Sequence, residues 1–241
     1  MDDIYGELRQ RLVQSLEGLD LLAGRVQVKA RGLTVEEAIG NPEADDFPLQ
    51  KGKEKLMQAD FHSALGQAFT DRYGDFEGTL DEVLKMALNN NYRRAIFIAT
   101  LNAVLRYLKL VEKTVHCHDQ EPALCANELC SHLRMQYGRI KIAQVGFQPR
   151  IVEALSRSFS LRVVDLDPDN IGTTRFNTPI EGPNATEELI TWADLLLVTG
   201  TTLVNGTIEQ FIRDKPILFY GTTVAGAAYL MGWNRFCARA K

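Results

Sequence analysis

Two stretches near the end of the chain decide the fold, because they repeat one pattern. Residues 195–207 have the sequence LLLVTGTTLVNGT, and residues 217–226 have the sequence ILFYGTTVAG. In each stretch a short apolar run ends in Gly-Thr-Thr and passes into a segment typical of a helix. A short apolar run bounded by glycine indicates a strand buried on both faces. Since ligands bind at the carboxyl edge of open α/β sheets, the two turns predict a pocket at that edge.

Around this repeat, strand and helix patterns alternate through the C-terminal half of the chain. Such alternation is typical of a parallel sheet wrapped by helices, so we predict an α/β domain with a mainly parallel sheet over residues 113–241. The predicted strands lie at 140–145, 161–166, 195–199 and 217–220, and the predicted helices at 128–137, 149–158, 186–192, 203–213 and 224–231.

The N-terminal half has strand patterns before helix patterns, which indicates an α+β domain over residues 1–112. Thr79 and Glu82 form a T-x-x-E capping box that marks the start of one helix. The remaining elements predicted are an amphipathic helix over 3–22, a helix over 93–109, a strand at 26–30, another within 55–70 and a loop at 40–53.

Composition excludes several classes of protein. The 241 residues carry 27 Lys and Arg against 31 Asp and Glu, a net charge of −4, so neither a nucleic acid nor an anionic membrane is an expected partner. No apolar run approaches the ~18 residues of a membrane span, and the N-terminus lacks a signal-peptide pattern. We therefore expect a cytoplasmic protein, in which the four cysteines are thiols or metal ligands. Assembly into a homo-oligomer is left open.

The first β-to-α turn of the C-terminal half places Gly146 after a strand and Pro149 at the start of a helix. A dinucleotide fingerprint needs three spaced glycines, so no tightly bound dinucleotide is expected. Asp165 follows the next strand. It either accepts hydrogen bonds from ribose-like hydroxyls or caps its own turn through short Asx bonds, and the sequence leaves both roles open.

The Gly-Thr-Thr turns supply the strongest candidates for ligand binding. Their hydroxyls can orient a carboxylate, a phosphate or a heterocycle. Helix capping by threonine accounts for only one hydroxyl per turn, so we favour a pocket. The candidates are Thr199, Gly200, Thr201, Thr202, Asn205, Gly206, Gly221, Thr222 and Thr223, together with Gly146 and Asp165. Asp194 precedes its strand and is interpreted as structural.

Two further positions offer polar groups from the N-terminal half. Asn102 interrupts an apolar helix, and a buried Asn needs partners. It either donates to a ligand or bonds to a neighbouring loop. His62 and Ser63 are weaker candidates for closing the site, since no catalytic order or nucleophile elbow accompanies them.

The segment between the two halves contains the chemistry of a metal site. Thiols and imidazoles suit soft ions, and the candidates for metal binding are His116, Cys117, His118 and Cys125. Their spacing is not C-x-x-C, and Cys130 falls on an apolar helix face, where we interpret it as core. A polar linker between domains is the alternative. We expect no stoichiometric structural zinc, and expect any metal to arrive with the small ligand.

Several of these motifs resemble one family. VTGTTLVNGT at 198–207, YGTTVAGAAYL at 220–230, TVHC at 114–117, EP at 121–122 and LNA at 101–103 are similar to the putative heavy-metal chelation domain family. The resemblance implies an enolase N-terminal-like α+β domain followed by a Rossmann-like α/β domain, with a ligand cleft between them. It also implies a link to metal chelation or to metallophore, pterin or flavin-like metabolism.

The leading hypothesis is therefore a protein that binds a small polar, anionic or heterocyclic molecule between two domains. Whether it is an enzyme is left open. Condensation or hydrolysis fits best, with Asp165 or His116 handling protons. One alternative is a non-catalytic metal-handling protein that uses the segment from His116 to Cys125. Another is an S-adenosylmethionine-dependent, methyltransferase-like enzyme with Asp165 on the ribose.

Overall fold

The computed structural model describes residues 3–31, 55–117 and 121–241, which form a mixed α/β protein with two sheets. The helices are α1 (Ile4–Ser15), α2 (Leu80–Lys85), α3 (Asn91–Tyr107), α4 (Glu121–Tyr137), α5 (Pro149–Ser156), α6 (Thr186–Trp192), α7 (Thr201–Asn205) and α8 (Ala225–Met231). Strands β1 (Arg25–Arg31), β2 (Lys55–Phe61), β3 (Ala64–Thr70) and β4 (Phe76–Thr79) form the small sheet. Strands β5 (Lys141–Val145), β6 (Ser160–Val164), β7 (Thr174–Arg175), β8 (Thr178–Glu181), β9 (Leu195–Thr199), β10 (Ile217–Tyr220) and β11 (Arg235–Phe236) form the large sheet.

The large sheet has the strand order β11-β10-β9-β5-β6-β8-β7. Every neighbouring pair is parallel except β7 with β8, so the prediction of a mainly parallel sheet is confirmed. The short strands β7, β8 and β11 were not predicted, because runs of two to four residues carry little periodic signal.

The small sheet is antiparallel, with the order β3-β2-β1-β4. The 55–70 segment holds two strands, β2 and β3, where the sequence predicted one. The backbone reverses at His62 and Ser63, whose φ angles are 50° and 68°. These two residues form a two-residue hairpin turn, and their positive φ angles match the twist of the flanking strands.

Two predicted helices are shorter than expected. The first ends at Ser15 instead of continuing to residue 22, and the chain then turns through Gly18 with a φ of 78°. The helix predicted over 203–213 is instead α7, which ends where Gly206 takes a left-handed φ of 74°, followed by a 3₁₀ turn at Ile208–Gln210. A glycine in the left-handed conformation ends a helix because the N–H groups at and after it turn back to the last helical carbonyls. Here the N–H groups of Gly206 and Thr207 both donate to the Thr202 carbonyl.

The capping box at the start of α2 is confirmed. The Thr79 hydroxyl accepts a hydrogen bond from the Glu82 N–H, and the Glu82 carboxylate accepts one from the Thr79 N–H at 2.7 Å. The loop predicted at 40–53 lies outside the described residues. Among the described helices, none combines the length and the apolar character needed to cross a membrane.

Helix α3 is the centre of the core. Every residue from 95 to 105 is buried, and α3 packs against β2 and β3 of the small sheet as well as against α7 and α8. One hydrophobic cluster therefore includes Phe97 on α3, Val28 in the small sheet and Val198 in the large sheet. The domain boundary at residues 112 and 113 stays a prediction. Across it, the two sheets share this core.

Candidate functional site

A cavity of about 580 Å³ lies at the carboxyl edge of the parallel strands. Strands β5, β6, β9 and β10 end there, and the turn after each of them contributes to the wall. Gly146, Asp165, Gly200 and Gly221, one from each turn, all line this cavity. The edge predicted from the sequence pattern is therefore the edge at which the cavity forms.

Most of the predicted residues meet at this cavity. Ten of the twelve candidates for ligand binding line it, namely Gly146, Asp165, Thr199, Gly200, Thr201, Thr202, Asn205, Gly221, Thr222 and Thr223. His116, Cys117 and Cys125 line it as well. Asn102, Gly206, His62 and Ser63 are not part of its wall. His118 lies outside the described residues.

The first Gly-Thr-Thr turn bonds mainly within itself. The Thr202 hydroxyl donates to the Thr199 carbonyl at 2.7 Å, and the Thr199 and Thr201 hydroxyls lie 3.3 Å apart. Gly200 has an ordinary φ of −62°, but a Cβ there would lie 2.6 Å from the backbone nitrogen of Val224. The absence of a side chain at Gly200 lets this turn approach the second one.

The second turn has a different backbone and different partners. Gly221 takes a φ of 94°, a conformation that favours glycine. The Thr223 hydroxyl oxygen accepts a hydrogen bond from the Phe69 N–H in β3, which joins the turn to the small sheet. The Thr222 hydroxyl is buried at the cavity wall and has no hydrogen-bond partner among the described residues. Such a group is costly to bury, and a bound molecule can satisfy it.

Asn102 fastens the second turn to the rest of the protein. Its amide nitrogen donates to the carbonyls of Gln67, Thr222 and Thr223 at 2.9, 3.3 and 3.1 Å. Its amide oxygen accepts from the Gly226 N–H at 2.7 Å. The sequence left open whether Asn102 bonds to a ligand or to a neighbouring loop. Bonding within the protein accounts for both its amide nitrogen and its amide oxygen.

Asp165 joins two neighbouring turns at the cavity. Its carboxylate accepts one hydrogen bond from the Phe147 N–H at 2.6 Å and another from the Asp167 N–H at 2.7 Å. The second bond is the short Asx bond that the sequence offered as an alternative. The first of these turns contains Gly146, which has a φ of 87°. The Tyr220 hydroxyl donates a hydrogen bond to the Gly146 carbonyl at 2.8 Å.

The charged residues described at the cavity wall are acidic. Asp71, Asp165 and Asp167 line it, and no Lys or Arg does so within the part of the chain that the structure describes. Carboxylates gathered around a cavity repel anions and attract cations, since their fields add in a site with low-dielectric walls. This lining disfavours the anionic ligand that hydroxyls and helix starts suggested.

Three thiols share the cavity wall: Cys117, Cys125 and Cys237. Burial raises the pKa of Cys117 to about 12, and the charges of Cys237 and Cys125 act in the same direction. Burial also raises the pKa of Cys237, against the opposing effect of the Arg235 guanidinium. Arg235 is held in place by the carbonyls of Gly221 and Lys113, to which it donates at 2.9 and 2.6 Å.

The fourth cysteine, Cys130, is not at the cavity, and the metal-binding candidates do not form a metal site among the described residues. Cys130 lies outside the cavity wall and packs against a hydrophobic cluster, as the sequence predicted. Across residues 3–31, 55–117 and 121–241, no three His, Cys, Asp or Glu side chains form a group arranged to hold a metal ion. A site that uses His118 stays a prediction.

Some wall residues were missed by the sequence analysis. Tyr220 carried a signal, since it is the last residue of the strand before the second Gly-Thr-Thr. Asp71 and Phe69 come from the small sheet side, and Cys237 comes from the last residues of the chain. Nothing in the local sequence distinguishes these three, because only the tertiary fold brings them to the cavity.

The molecule is thus a mixed α/β protein with a cavity at the carboxyl edge of a mainly parallel sheet. Residues 131–225 match the model of the DUF364 family, which is described as "Putative heavy-metal chelation". The resemblance predicted from the motifs is therefore confirmed over these residues.

Two solved structures of DUF364 proteins of unknown function have a similar fold. The protein from Pyrococcus horikoshii has a TM-score of 0.57 and 17% identity, over 91% of this chain and 79% of its own. The protein from Desulfitobacterium hafniense DCB-2 has a TM-score of 0.52 and 14% identity, over 73% of this chain and 72% of its own. No curated protein matches this chain significantly.

Proposed function

We propose that the cavity binds a small polar molecule that is neutral or metal-bearing, and heterocyclic or chelating in character. The observation that carries the proposal is the convergence of four strand-end turns on one cavity of about 580 Å³, where the buried Thr222 hydroxyl has no hydrogen-bond partner among the described residues. Small-molecule sites are concave and hold a few convergent polar groups of this kind.

The topology of the large sheet supports this place for a site. Taken from β8 to β11, the strand order is β8-β6-β5-β9-β10-β11, which corresponds to 3-2-1-4-5-6 in chain order. That is the order of a doubly wound Rossmann sheet, whose ligand crevice lies where the order reverses, here between β5 and β9. We therefore infer a Rossmann-like unit after residue 113. The enolase N-terminal-like character of residues 1–112 stays a prediction.

The lining favours a neutral or cationic ligand over an anion. Three acidic residues, Asp71, Asp165 and Asp167, line the cavity without a lining Lys or Arg among the described residues. Thiols and carboxylates are also donors for metal ions, and chelation by this cavity would agree with the description of the DUF364 family. A metal-bearing ligand therefore suits the wall better than the free phosphate or carboxylate considered from the sequence.

Binding without turnover is the simpler role for this arrangement. Both oxygens of Asp165 already accept backbone hydrogen bonds, which fits a part in shaping the turns better than a part in proton transfer. The same engagement leaves little of the carboxylate for the ribose of S-adenosylmethionine. Hydrolysis or condensation would require His116 to act on the bound molecule, and this stays a secondary proposal.

Threonine variants test the proposal with pterin as the probe, read by its intrinsic fluorescence. Thr201→Val and Thr222→Val remove hydroxyls at little cost in volume, and each should weaken binding by about 1–3 kcal/mol if the hydroxyl bonds to the probe. Thr191→Val is the matched control, since its hydroxyl bonds to the Glu187 carbonyl on the surface of α6. Equal affinity in all three variants and the unchanged protein would contradict the proposed site.

A further inference from the structure

The three acidic residues of the cavity wall differ in how far each carboxylate is already engaged. Asp165 accepts backbone hydrogen bonds at both oxygens, and Asp167 accepts one from the Asp169 N–H at 3.0 Å within its own turn. Asp71 accepts one hydrogen bond at Oδ1, from the side-chain amide of Asn91 at 2.6 Å. Its Oδ2 has no hydrogen-bond or ion-pair partner among the described residues, so this oxygen is available to a molecule in the cavity.

The carboxylate of Asp71 is held in place by a chain of polar contacts. The amide oxygen of Asn91 accepts a hydrogen bond from the Arg94 guanidinium at 2.5 Å, which leaves the amide nitrogen to face Asp71. Arg94 is in turn anchored to the carbonyls of Leu88 and Val204 at 3.0 and 2.7 Å. Asn91 lines the cavity and Arg94 does not. A side chain that is already positioned loses less conformational freedom when it binds a ligand.

A second polar group in the same cavity also points to a bound molecule. The Thr222 side chain lines the cavity and is only 1% exposed, and its hydroxyl has no hydrogen-bond partner among the described residues. Burying such a group without a partner is costly. Asp71 follows β3 of the small sheet and Thr222 follows β10 of the large sheet, so the two sheets each contribute one polar group to one cavity. A few convergent polar groups in a concave wall are typical of a small-molecule site.

We propose that the molecule bound in this cavity carries a protonated amine, and that Asp71 binds the ammonium group and determines the preference for it. The inference rests on the proposed function, since the amine belongs to the same bound molecule. It adds the charge of the ligand and the residue that recognises this charge.

The donor set around Asp71 suits an ammonium group better than a bare metal ion. An ammonium group forms a charge-assisted hydrogen bond of about 2.7–2.9 Å, for which a single carboxylate oxygen is sufficient. A metal ion needs several ligands that converge, and no such group of His, Cys, Asp or Glu occurs within residues 3–31, 55–117 and 121–241. Phe69 also lines the cavity, and its aromatic face can attract a cation near Asp71. Arg72, the next residue in the chain, is not part of the wall.

A charge series of pterins tests the inference on the full chain. The three probes share one ring system and differ at one ring carbon, which carries a cationic aminomethyl, a neutral hydroxymethyl or an anionic carboxylate group. In titrations followed by pterin fluorescence, the unchanged protein should bind the aminomethyl probe about tenfold more tightly than the hydroxymethyl probe, and the carboxylate most weakly. Asp71→Asn removes the charge but keeps an oxygen that can accept from Asn91, so these two affinities should come within about threefold of each other.

Asp20→Asn is the matched control, because Asp20 is exposed and lies outside the cavity wall. It should keep the preference of about tenfold for the aminomethyl probe, since an exposed distant charge is screened by salt. The hydroxymethyl probe shows whether the cavity is intact in each variant, and its affinity should stay within about threefold of that of the unchanged protein. Three results would overturn the inference: no preference in the unchanged protein, a preference that survives Asp71→Asn, and an equal loss of preference in Asp20→Asn.

The hydroxymethyl probe also separates this inference from the proposed function. If it binds and Thr222→Val weakens it, while the aminomethyl probe has no advantage, the amine inference fails and the proposed function stands. If none of the pterins binds, calorimetric titration with benzylamine and benzyl alcohol, which are matched in size, decides the inference alone. A preference for benzylamine that Asp71→Asn abolishes would keep the amine site and reject the heterocyclic ligand. The absence of that preference would reject both.

Discussion

The two Gly-Thr-Thr turns have the same sequence but different structures. At the first, Gly200 has an ordinary backbone angle and is required for space, because the backbone of Val224 lies 2.6 Å from the position of its missing Cβ. At the second, Gly221 has open space around it and is required for its φ of 94°. One tripeptide thus meets two different constraints.

The side chains of the two turns differ in the same way. The Thr202 hydroxyl bonds back to its own turn, whereas the Thr222 hydroxyl at the cavity wall has no partner in the part of the chain that the structure describes. The second turn also depends on outside support, from Asn102 and from the Phe69 N–H. The first turn shapes the cavity, and the second contributes the Thr222 hydroxyl to its wall. Repetition in sequence therefore predicted the location of the site and left the division of roles to the tertiary structure.

The largest expected effect is a loss of stability when Asn102, which holds the second turn in place, is replaced. Asn102→Ala leaves the Gly226 N–H and three carbonyls without this partner in the core, at about 1–3 kcal/mol for each group left unsatisfied. We expect the free energy of unfolding to fall by about 4 kcal/mol in urea denaturation. Asn89→Ala, at an exposed position, should change it by less than about 0.5 kcal/mol. A loss below about 1 kcal/mol in Asn102→Ala would show that the second turn holds its shape alone.

The next largest effect is a difference in stability between alanine variants of Gly200 and Gly221. In Gly200→Ala the new methyl group meets backbone atoms that cannot move independently, so the free energy of unfolding should fall by about 3 kcal/mol. In Gly221→Ala there is room for the methyl group, and only the left-handed backbone costs about 1 kcal/mol. Thermal and urea denaturation of the two variants check the difference. Equal losses, or the reverse order, would contradict the two separate constraints.

The smallest expected effect is a difference in stability between valine variants of Thr202 and Thr222. Thr202→Val loses the bond to the Thr199 carbonyl and should cost about 1 kcal/mol of stability. Thr222→Val removes a buried hydroxyl that has no partner among the described residues, so stability should stay level or rise by up to about 1 kcal/mol. A clear loss of stability in ligand-free Thr222→Val would mean that this hydroxyl already has a structural partner.

The parallel sheet and the edge that carries the cavity were predictable, because each depends on local patterns. An apolar run before a glycine turn marks a buried strand wherever it occurs, and parallel strands bring such turns to one edge. Gly146, Asp165 and the two threonine turns were found in this way. The short strands were missed because runs of two to four residues carry little periodic signal. The early end of α7 was missed because the sequence does not show whether Gly206 lies inside a helix or ends it in a left-handed conformation.

The character of the site was not predictable, because it depends on residues far apart in the chain. Asp71 adds a carboxylate from beyond β3, and Cys237 adds a thiol from after β11. Neither belongs to a motif, yet together with Asp165 they change the expected ligand from an anion to a neutral or metal-bearing molecule. The role of Asn102 likewise depends on carbonyls more than a hundred positions away.

The most direct test of the central claim is the electron density of the cavity in crystals of protein purified without denaturation or chelators. We predict density for a small molecule in the cavity formed by the four strand-end turns, with a polar atom within hydrogen-bonding distance of the Thr222 hydroxyl. Ordered water alone in the cavity, with a co-purified molecule bound elsewhere on the protein, would contradict the account.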